Sequence, residues 1–367
     1  MYTLPPGGRF SMAVDRDVAN ATMVLTARDV AEVVARRGTA RVLDELIERL
    51  RDALLTFDPR RVVSPARSGF RYDEPDFGLL EWMPVMETGR VVAVKTVGYH
   101  PRNPTRKGRP SVTATTSVYD TDTGRLAAVL DATLLTALRT GAASALATEI
   151  LAVDGPVHIG IVGCGAQAVT QLHAVSRVRN VARITALDTD PAVAATFRRR
   201  VAFLDRPLTV VDAGGDLTLL ADADVLCTCT SVDVGKGPVV RDGAHRPWLH
   251  VNAVGADFPG KQELPLALLE RALVCPDLPE QFRVEGEAQW LDPEVIGPDL
   301  PTLVQHRQTY ERHRDELTVF DSTGWALEDL VVAELFLDLA RDLRIGRRID
   351  LESMATDPHD PYALITS

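Results

Sequence analysis

A strand that runs directly into a glycine-rich turn is the feature that most constrains how this chain can fold. The apolar stretch VHIGIV, residues 157–162, is followed by Gly163, Gly165 and Ala168 in the spacing GxGxxA, and then by a helix-forming run to Val178. Beyond this point further apolar strands alternate with helical stretches. A helix between two strands brings the chain back to the end of the sheet where the first strand began. The next strand therefore runs in the same direction, and this alternation predicts a parallel sheet.

The glycine turn has the composition of a dinucleotide-binding loop. Gly163 permits the tight turn, and Gly165 lets the backbone approach a pyrophosphate at the start of the helix, beside Ala166. Asp188 ends the next predicted strand, where a carboxylate binds ribose hydroxyls and repels a 2′-phosphate. No arginine directly follows Asp188, so the sequence favours NAD over NADP. A glycine turn in an unrelated α/β protein is the alternative interpretation.

Size and charge restrict the classes of function. The 367 residues are enough for two domains, and 46% hydrophobic and 25% charged residues are typical of globular proteins. The formal net charge of −11 argues against a nucleic-acid partner, because phosphate backbones bind basic surfaces. The first residues lack the apolar core of a secretory signal, and no apolar run is long enough to span a bilayer. We therefore expect a cytoplasmic protein without a membrane partner.

The four cysteines do not indicate a metal centre. Cys164, Cys227, Cys229 and Cys275 have neither the spacing of a zinc site nor, without a secretion signal, the context of a disulfide framework. We predict buried core thiols and no bound metal.

The N-terminal part of the chain mixes helices with strands. Thr26 and Asp29 predict a capping box that begins a helix ending at Gly38, and an amphipathic helix follows over residues 40–57. Strand-like segments separated by turns over residues 91–131 predict an antiparallel sheet.

An alanine- and leucine-rich helix over residues 132–153 joins the two parts, and a breaker at 154–156 follows it as a candidate boundary. We therefore predict an α/β protein with two domains. Residues 140–322 form a Rossmann NAD-binding domain. Residues 1–139, completed by 323–367, form an α+β domain for substrate binding and dimerisation.

Seven phrases of the sequence resemble one known family. They are LLEWMPV, VKTVGYHPRNP, ALRTGAASALA, GCGAQA, HVNAVGADFPGKQEL, EQFRVEGEAQ and VFDSTGWALEDL. In this order they resemble the ornithine cyclodeaminase and μ-crystallin family, from about Leu25 to Leu339. Within that family the chain looks most like the actinobacterial lysine cyclodeaminases, which make pipecolate for secondary metabolites.

The resemblance implies cations that bind the carboxylate of an amino-acid substrate. These cations fall on Arg67, Lys95 and Arg139, with Arg61 as the alternative to Arg67. The chemistry agrees, because a guanidinium binds a carboxylate through two parallel hydrogen bonds.

The remaining substrate and catalytic positions also follow from the resemblance. Glu81 corresponds to a carboxylate near the substrate amine, and Ser111 stands where the family often has Thr. Glu285 resembles the acid that meets the distal amine in lysine cyclodeaminases. Asp257 matches the catalytic aspartate. Further cofactor contacts are implied at Thr140, Gln167, Thr230, Val254, Lys261 and Ser322.

The reaction implied is a cyclodeamination. NAD⁺ takes a hydride from the α-carbon, the side-chain amine attacks the resulting imine, ammonia leaves, and the hydride returns to the cyclic imine. Asp257 is the expected general base, and Lys95 and Glu81 complete the catalytic group. Ornithine as substrate, ketimine reduction, amino-acid dehydrogenation and a μ-crystallin-like binding role stay open. A homodimer through the N-terminal strands is expected, because an exposed sheet usually acquires a cover.

Overall fold

The computed structural model describes residues 21–211, 221–352, 357–363 and 365. Contacts divide the chain into two units. Unit 1 comprises the described residues up to Arg37, Arg60–Leu134 and the described residues from Val332 onward, and unit 2 comprises Gly38–Pro59 and Leu135–Val331. The first residues, on which the expected absence of a secretory signal rests, lie outside the described residues.

The division differs from the predicted boundaries at 139/140 and 322/323. The breaks fall at 134/135 and 331/332, and the helical segment Gly38–Pro59 groups with unit 2. The candidate boundary at 154–156 lies inside unit 2. The roles that we assigned to the two domains stay predictions.

The helices and strands have the following bounds. The strands are β1 (Thr22–Leu25), β2 (Val62–Val63), β3 (Ser68–Tyr72), β4 (Gly78–Glu87), β5 (Val91–Tyr99), β6 (Val112–Asp120), β7 (Leu126–Asp131), β8 (Pro156–Val162), β9 (Asn180–Leu187), β10 (Leu208–Val211), β11 (Val225–Thr228), β12 (His250–Ala253), β13 (Leu273–Pro276), β14 (Thr318–Asp321) and β15 (Arg347–Ile349). The helices are α1 (Ala27–Arg37), α2 (Thr39–Leu55), α3 (Asn103–Lys107), α4 (Thr133–Leu151), α5 (Ala166–Val178), α6 (Pro191–Arg200), α7 (Leu266–Leu269), α8 (Pro279–Phe282), α9 (Leu300–Gln305), α10 (Arg307–Tyr310) and α11 (Ala326–Leu343). Among the described residues, no helix is long and apolar enough to cross a membrane.

Unit 1 contains a mixed sheet in the order β15-β1-β7-β6-β5-β4-β2, with β3 also paired to β4. The predicted antiparallel sheet is present in β5, β6 and β7. The sheet as a whole is mixed, because β1, which lies outside the predicted segment, runs parallel to β7. Helix α1 packs against both β1 and β7.

The start of α1 shows why the N-terminal sequence folds locally. The backbone nitrogen of Thr26 donates to Asp29 Oδ2 at 2.8 Å, and the backbone nitrogen of Asp29 donates to Thr26 Oγ1 at 3.3 Å. This reciprocal pair is a capping box, which satisfies two N–H groups that the helix itself cannot. Gly38 follows α1 with φ of 89°, a left-handed conformation that glycine adopts without strain.

Unit 2 contains the predicted parallel sheet. Its order is β10-β9-β8-β11-β12-β14-β13, and every neighbouring pair is parallel. The chain order therefore reverses beside β8, the strand that precedes the glycine turn. In such sheets ligands bind beyond the carboxyl ends of the strands near this reversal, so the fold places the glycine turn at the edge where a ligand belongs.

Two helices explain the extent of unit 2. The apolar face of α2 is fully buried, as Leu43, Leu46 and Leu50 show, and α2 packs against α5 and α9. Helix α4 is buried on nearly all sides, and Thr148 accepts a hydrogen bond from Asn252 Nδ2 of β12 at 2.9 Å. Both helices therefore belong to the core that the parallel sheet organises.

Three of the four cysteines are buried, as predicted: Cys164, Cys227 and Cys275. Cys229, one residue beyond the end of β11, is partly buried and packs against the same apolar cluster that contains Cys227.

Candidate active site

The loop between β8 and α5 holds the predicted glycines. Gly163 has φ of 87°, and a Cβ there would lie 2.9 Å from the carbonyl oxygen of Cys229, so conformation and space both exclude a side chain. Gly165 directly precedes α5, and no described atom lies within 4 Å of the position that its Cβ would take. Ala168, in the first turn of α5, is fully buried. The loop therefore packs tightly against the protein at Gly163, whereas the space beside Gly165 is free for a ligand.

Asp188 directly follows β9 and binds this loop. One carboxylate oxygen accepts from the backbone nitrogen of Cys164 at 2.6 Å, and the other accepts from that of Asp190 at 2.8 Å. Each oxygen keeps a second lone pair, so the carboxylate can still accept hydrogen bonds from ribose hydroxyls. Arg200 of α6, which the sequence analysis missed, donates to the carbonyl oxygen of Gly165 at 3.3 Å.

These features fit the pyrophosphate and ribose of a dinucleotide. Helix α5 has 13 residues, and its first N–H groups carry the positive end of the helix dipole. Within the part of the chain that the structure describes, Gln167 Nε2 is buried without a hydrogen-bond partner, and an oxygen of a bound ligand would satisfy that donor. The residues that would hold the dinucleotide here are Gly163, Gly165, Ala166, Gln167 and Asp188.

Asp257 lies on the loop that follows β12, at the carboxyl edge of the sheet. Its Oδ1 accepts a hydrogen bond from Lys261 Nζ at 2.9 Å. The Lys261 side chain is 6% exposed, whereas that of Asp257 is 43% exposed. The pair therefore combines a buried ammonium with a carboxylate that a substrate proton can reach, the arrangement that a general base needs.

A buried glutamate fixes the loops on either side of Asp257. Glu263 accepts hydrogen bonds from the backbone nitrogen and Oγ1 of Thr230, both at 2.7 Å, and from the backbone nitrogen of Gly255 at 2.8 Å. Burial raises the pKa of Glu263 above its ordinary value. The hydroxyl of Thr230, a predicted cofactor contact, thus donates within the protein. Sequence reasoning missed Glu263, whose only signal was an acid directly before the apolar Leu264 in KQEL.

Arg139 lies on α4 and is 5% exposed. Its Nε donates to Asp329 Oδ1 and its Nη1 donates to Glu328 Oε2, both at 3.0 Å. Gly324, with φ of 87°, packs on the guanidinium so closely that a Cβ would lie 2.4 Å from Nη1. The sequence indicated that Arg139 binds a carboxylate, but it did not identify Asp329 and Glu328 as partners within the protein.

The other predicted contacts of unit 2 are buried or form hydrogen bonds within the unit. Glu285 is buried and accepts from Gln281 Nε2 at 2.7 Å. Ser322 directly follows β14 and donates to Asp277 Oδ2 at 3.0 Å, and Thr140 donates to the carbonyl oxygen of Thr136 at 2.9 Å. Val254 directly follows β12 and is buried. Their contacts with a ligand stay predictions.

In unit 1, Lys95 and Glu81 share one face of the sheet. Lys95 of β5 is 2% exposed and lies opposite Met83 in β4 and Thr116 in β6. Glu81 pairs with Val97, two residues from Lys95, and is therefore its diagonal neighbour on the same face. Thr116, 1% exposed, supplies a hydroxyl on this face that sequence reasoning missed. The alternation of buried and less buried residues along β6 was the sequence signal for Thr116, which pairs with Lys95.

The remaining predicted residues of unit 1 lie at strand ends. Arg67 is partly buried and directly precedes β3, whereas Arg61 is exposed and directly precedes β2. Ser111 directly precedes β6, and its carbonyl oxygen accepts from the backbone nitrogen of His100 at 2.7 Å. Thr116, and not Ser111, is the hydroxyl residue that pairs with Lys95 in the sheet.

Comparison with known proteins identifies the family of this chain. The sequence profile of the ornithine cyclodeaminase/mu-crystallin family matches residues 21–343. The chain belongs to this family. Membership confirms the resemblance drawn from the seven phrases, and the chain is a cyclodeaminase-family enzyme.

Three relatives of this family member span its length. It is 41% identical over 344 residues to the L-lysine cyclodeaminase of Streptomyces rapamycinicus, covering 94% of this chain and 99% of that protein. A solved lysine cyclodeaminase structure superposes with a TM-score of 0.90 at 47% identity, covering 94% of this chain and 99% of that one. An archaeal alanine dehydrogenase dimer with bound NAD superposes with a TM-score of 0.79 at 29% identity, covering 90% and 100%. These matches confirm the predicted fold class.

Proposed function

We propose that this enzyme converts L-lysine to L-pipecolate and ammonia with NAD as its cofactor. The observation that carries the proposal is the 41% identity to an L-lysine cyclodeaminase over 99% of that protein's length. The dinucleotide loop supports the cofactor, because Gly165 is open to a ligand and Asp188 provides ribose acceptors without an adjacent arginine.

The chain's own residues have the following roles in this proposal. Lys95 and Arg139 bind and orient the substrate carboxylate, with Arg67 as a further cation. Asp257 removes a proton from the distal amine, so that the amine can attack the α-imine of the same molecule. Lys261 holds Asp257 in place through the 2.9 Å ion pair. Bound NAD⁺ supplies the acceptor that takes a hydride from the α-carbon and returns it to the cyclic imine.

The test is product analysis with purified enzyme and NAD⁺. L-lysine should give pipecolate and ammonia in equal amounts by mass spectrometry, without growth of the nicotinamide absorbance. Growth of that absorbance in step with lysine loss would show a dehydrogenase instead. Failure to consume lysine would refute the proposal.

Ornithine and 2,4-diaminobutyrate are second candidate substrates. The solved lysine cyclodeaminase is described as recognising L-lysine, L-ornithine and L-2,4-diaminobutyric acid. One methylene in an apolar pocket is worth only about 1–3 kcal/mol, so several of these diamines are expected to react. The ratio of their kcat/KM values decides the preferred substrate.

We also propose a homodimer formed through the outer face of the unit 1 sheet. Phe70 of β3 lies opposite Leu80 of β4, and Val63 of β2 lies opposite Met86 of β4. All four side chains are exposed on that face, and Phe70 stacks edge-on against Trp82. An apolar face of this kind usually marks an interface, and the related alanine dehydrogenase is a dimer. Light scattering that gives the mass of one chain would refute this.

A further inference from the structure

The loop that carries Asp257, residues 256–264, contains a tight turn, and we call it the base loop. The backbone nitrogen of Lys261 donates to the carbonyl oxygen of Phe258 at 3.0 Å, and Gly260, inside this turn, has φ of 83°. The side chain of Asp257 is 43% exposed, so packing against neighbouring side chains does not by itself fix its carboxylate. A general base must lie within hydrogen-bond reach of the proton that it removes. The position of this carboxylate therefore depends on the base loop.

Residues 286–289, which we call the clamp segment, are anchored at the carboxyl edge of the parallel sheet. Asp321, the last residue of β14, accepts hydrogen bonds from the backbone nitrogens of Glu287 and Ala288, both at 2.9 Å. Gly286 has φ of 88°, and a Cβ there would lie 2.7 Å from Asp321 Oδ2. Glycine thus lets the backbone approach the aspartate closely. The clamp segment is therefore fixed to the sheet.

The clamp segment binds both ends of the base loop. At the first end, the backbone nitrogen of Gly286 donates to the carbonyl oxygen of Ala256 at 2.8 Å. At the other end, the carboxylate of Glu287 accepts from the backbone nitrogens of Glu263 at 2.7 Å and Leu264 at 3.0 Å. These three bonds set where the base loop starts and ends.

Gln289, the last residue of the clamp segment, binds the middle of the base loop. Its Oε1 accepts from the backbone nitrogen of Gly260 at 2.8 Å, and its Nε2 donates to the carbonyl oxygen of Lys261 at 3.1 Å. Nε2 also donates to the carbonyl oxygen of Gly286 at 2.6 Å. An amide side chain has two N–H donors and one carbonyl oxygen, and Gln289 uses all of them. These bonds fix the orientation of the amide and of the turn that it binds.

A continuous path of hydrogen bonds leads from Gln289 to Asp257. Gln289 bonds to the backbone of Lys261, and the buried side chain of Lys261 donates to Asp257 Oδ1 at 2.9 Å. We propose that Gln289 is a positioning residue that holds the Asp257 carboxylate in place for proton transfer. It acts through Gly260 and Lys261 and not on the reacting atoms. This inference rests on the proposed function, in which Asp257 is the general base.

The first test removes the amide of Gln289. Gln289→Leu keeps the approximate size of the side chain and removes all three hydrogen bonds. With saturating NAD⁺, kcat for L-lysine should fall by about 10- to 100-fold, because a shift of about 1 Å in a catalytic group can cost up to about 10²-fold. Gln305→Leu is the matched control, because Gln305 Nε2 also donates to two backbone carbonyl oxygens of unit 2, those of Leu54 and Phe57. Its kcat should match that of wild type.

A double-mutant cycle separates positioning from a general loosening of the structure. If Gln289 acts through the Asp257 carboxylate, Gln289→Leu should change kcat by less than about twofold in the Asp257→Asn background. An equal fall in both backgrounds would show that Gln289 acts independently of Asp257, and would overturn the proposal. A Gln289→Leu enzyme with the kcat of wild type would overturn it as well.

A second measurement does not depend on the substrate. Hydrogen exchange of the base loop, followed by mass spectrometry, should be faster in Gln289→Leu than in wild type and unchanged in Gln305→Leu, because the Gly260 amide loses its acceptor. Unchanged exchange in Gln289→Leu would refute the proposal. If wild type does not consume lysine, the proposed function fails, whereas exchange still decides whether Gln289 holds the loop.

A further variant covers the case in which Gln289→Leu does not fold. Gln289→Glu has the same size and keeps the acceptor for the Gly260 nitrogen, but its ionised form has no donor for the two carbonyl oxygens. It should show the same fall in kcat, the same dependence on Asp257 and the same faster exchange. Wild-type values for all three would overturn the proposal.

Discussion

The Asp257 carboxylate is the accessible member of an ion pair whose other member, Lys261, is buried. Asp257→Asn keeps the size of the side chain but cannot accept a proton. We expect pipecolate formation to slow by about 10²–10⁴-fold, the usual contribution of a general base, while the affinity for NAD changes little. Steady-state kinetics and fluorescence titration measure the two effects.

A neighbouring exposed aspartate provides the control for this substitution. Asp233→Asn removes the same charge from a nearby loop and should leave turnover unchanged. Equal rates in Asp257→Asn and wild type would show that the base lies elsewhere. A loss of NAD affinity without a change in turnover would place Asp257 in the cofactor site instead.

At the level of single residues, the sequence identified charged side chains with a structural or functional role. It did not identify the residues with which those side chains pair. Arg139 stood out because a cation in an alanine-rich helix is rarely idle. Its acids, Glu328 and Asp329, are 189 and 190 positions away in sequence. No local pattern connects residues so far apart, because their contact depends on how α4 and α11 pack.

Among the helices, α2 offers a direct test of the core of unit 2. Leu46 is fully buried on the face of α2, whereas Leu55 near its end is 47% exposed. Leu46→Ala should lower the free energy of unfolding by about 2–5 kcal/mol, because it removes buried methyl groups and leaves a cavity. Leu55→Ala should change it by less than about 0.5 kcal/mol. Urea unfolding of both variants measures the difference, and equal effects would contradict the packing described for α2.

The end of β9 sets the expected choice between the two nicotinamide dinucleotides. Asp188→Arg removes a ribose acceptor and adds a donor for a 2′-phosphate, so NAD should bind more weakly and NADP relatively better. Asp315→Arg, an equal charge change at an exposed site of unit 2, should alter neither affinity. Calorimetric titration with both dinucleotides checks this. Unchanged NAD affinity in Asp188→Arg would remove the basis of the dinucleotide assignment.

Element by element, periodic segments were predictable and irregular ones were not. Helix α2 follows from its apolar spacing, and β8 follows from its position before the glycine turn. Strand β4 escaped prediction in part because Pro84, which lacks a backbone N–H, lies inside it. The register that brings Thr116 opposite Lys95 is a property of paired strands, so a single segment does not reveal it.

For the whole molecule, buried acids predict how stability depends on pH. Burial raises the pKa of Asp321 to about 7 and that of Glu328 to about 8, whereas unfolded carboxyl groups ionise near about 4. Between these values the native state binds more protons than the unfolded state, so stability falls as pH rises. Buried His250, with a pKa lowered to about 3, acts in the opposite sense below about pH 6.5.

The midpoint of thermal unfolding should therefore fall between about pH 6.5 and pH 8.5. Each group contributes at most about 1.4 kcal/mol per pH unit, and its contribution ends above its native pKa. Glu328→Gln should flatten the upper part of this decline. A midpoint that rises across this range would contradict the neutral state of both acids.

Unit 1 draws its sheet from separated stretches of the chain, whereas the sheet of unit 2 comes from the continuous stretch Leu135–Val331. Strand β15 pairs with β1, and Arg90 bonds to Glu334, 244 positions later. During translation β1 leaves the ribosome long before β15 exists. All of unit 2 is therefore synthesised before unit 1 is complete. Until β15 is made, β1 lacks this neighbour and its edge stays unpaired. Newly made chains should be most prone to aggregate, and most dependent on chaperones, during that interval.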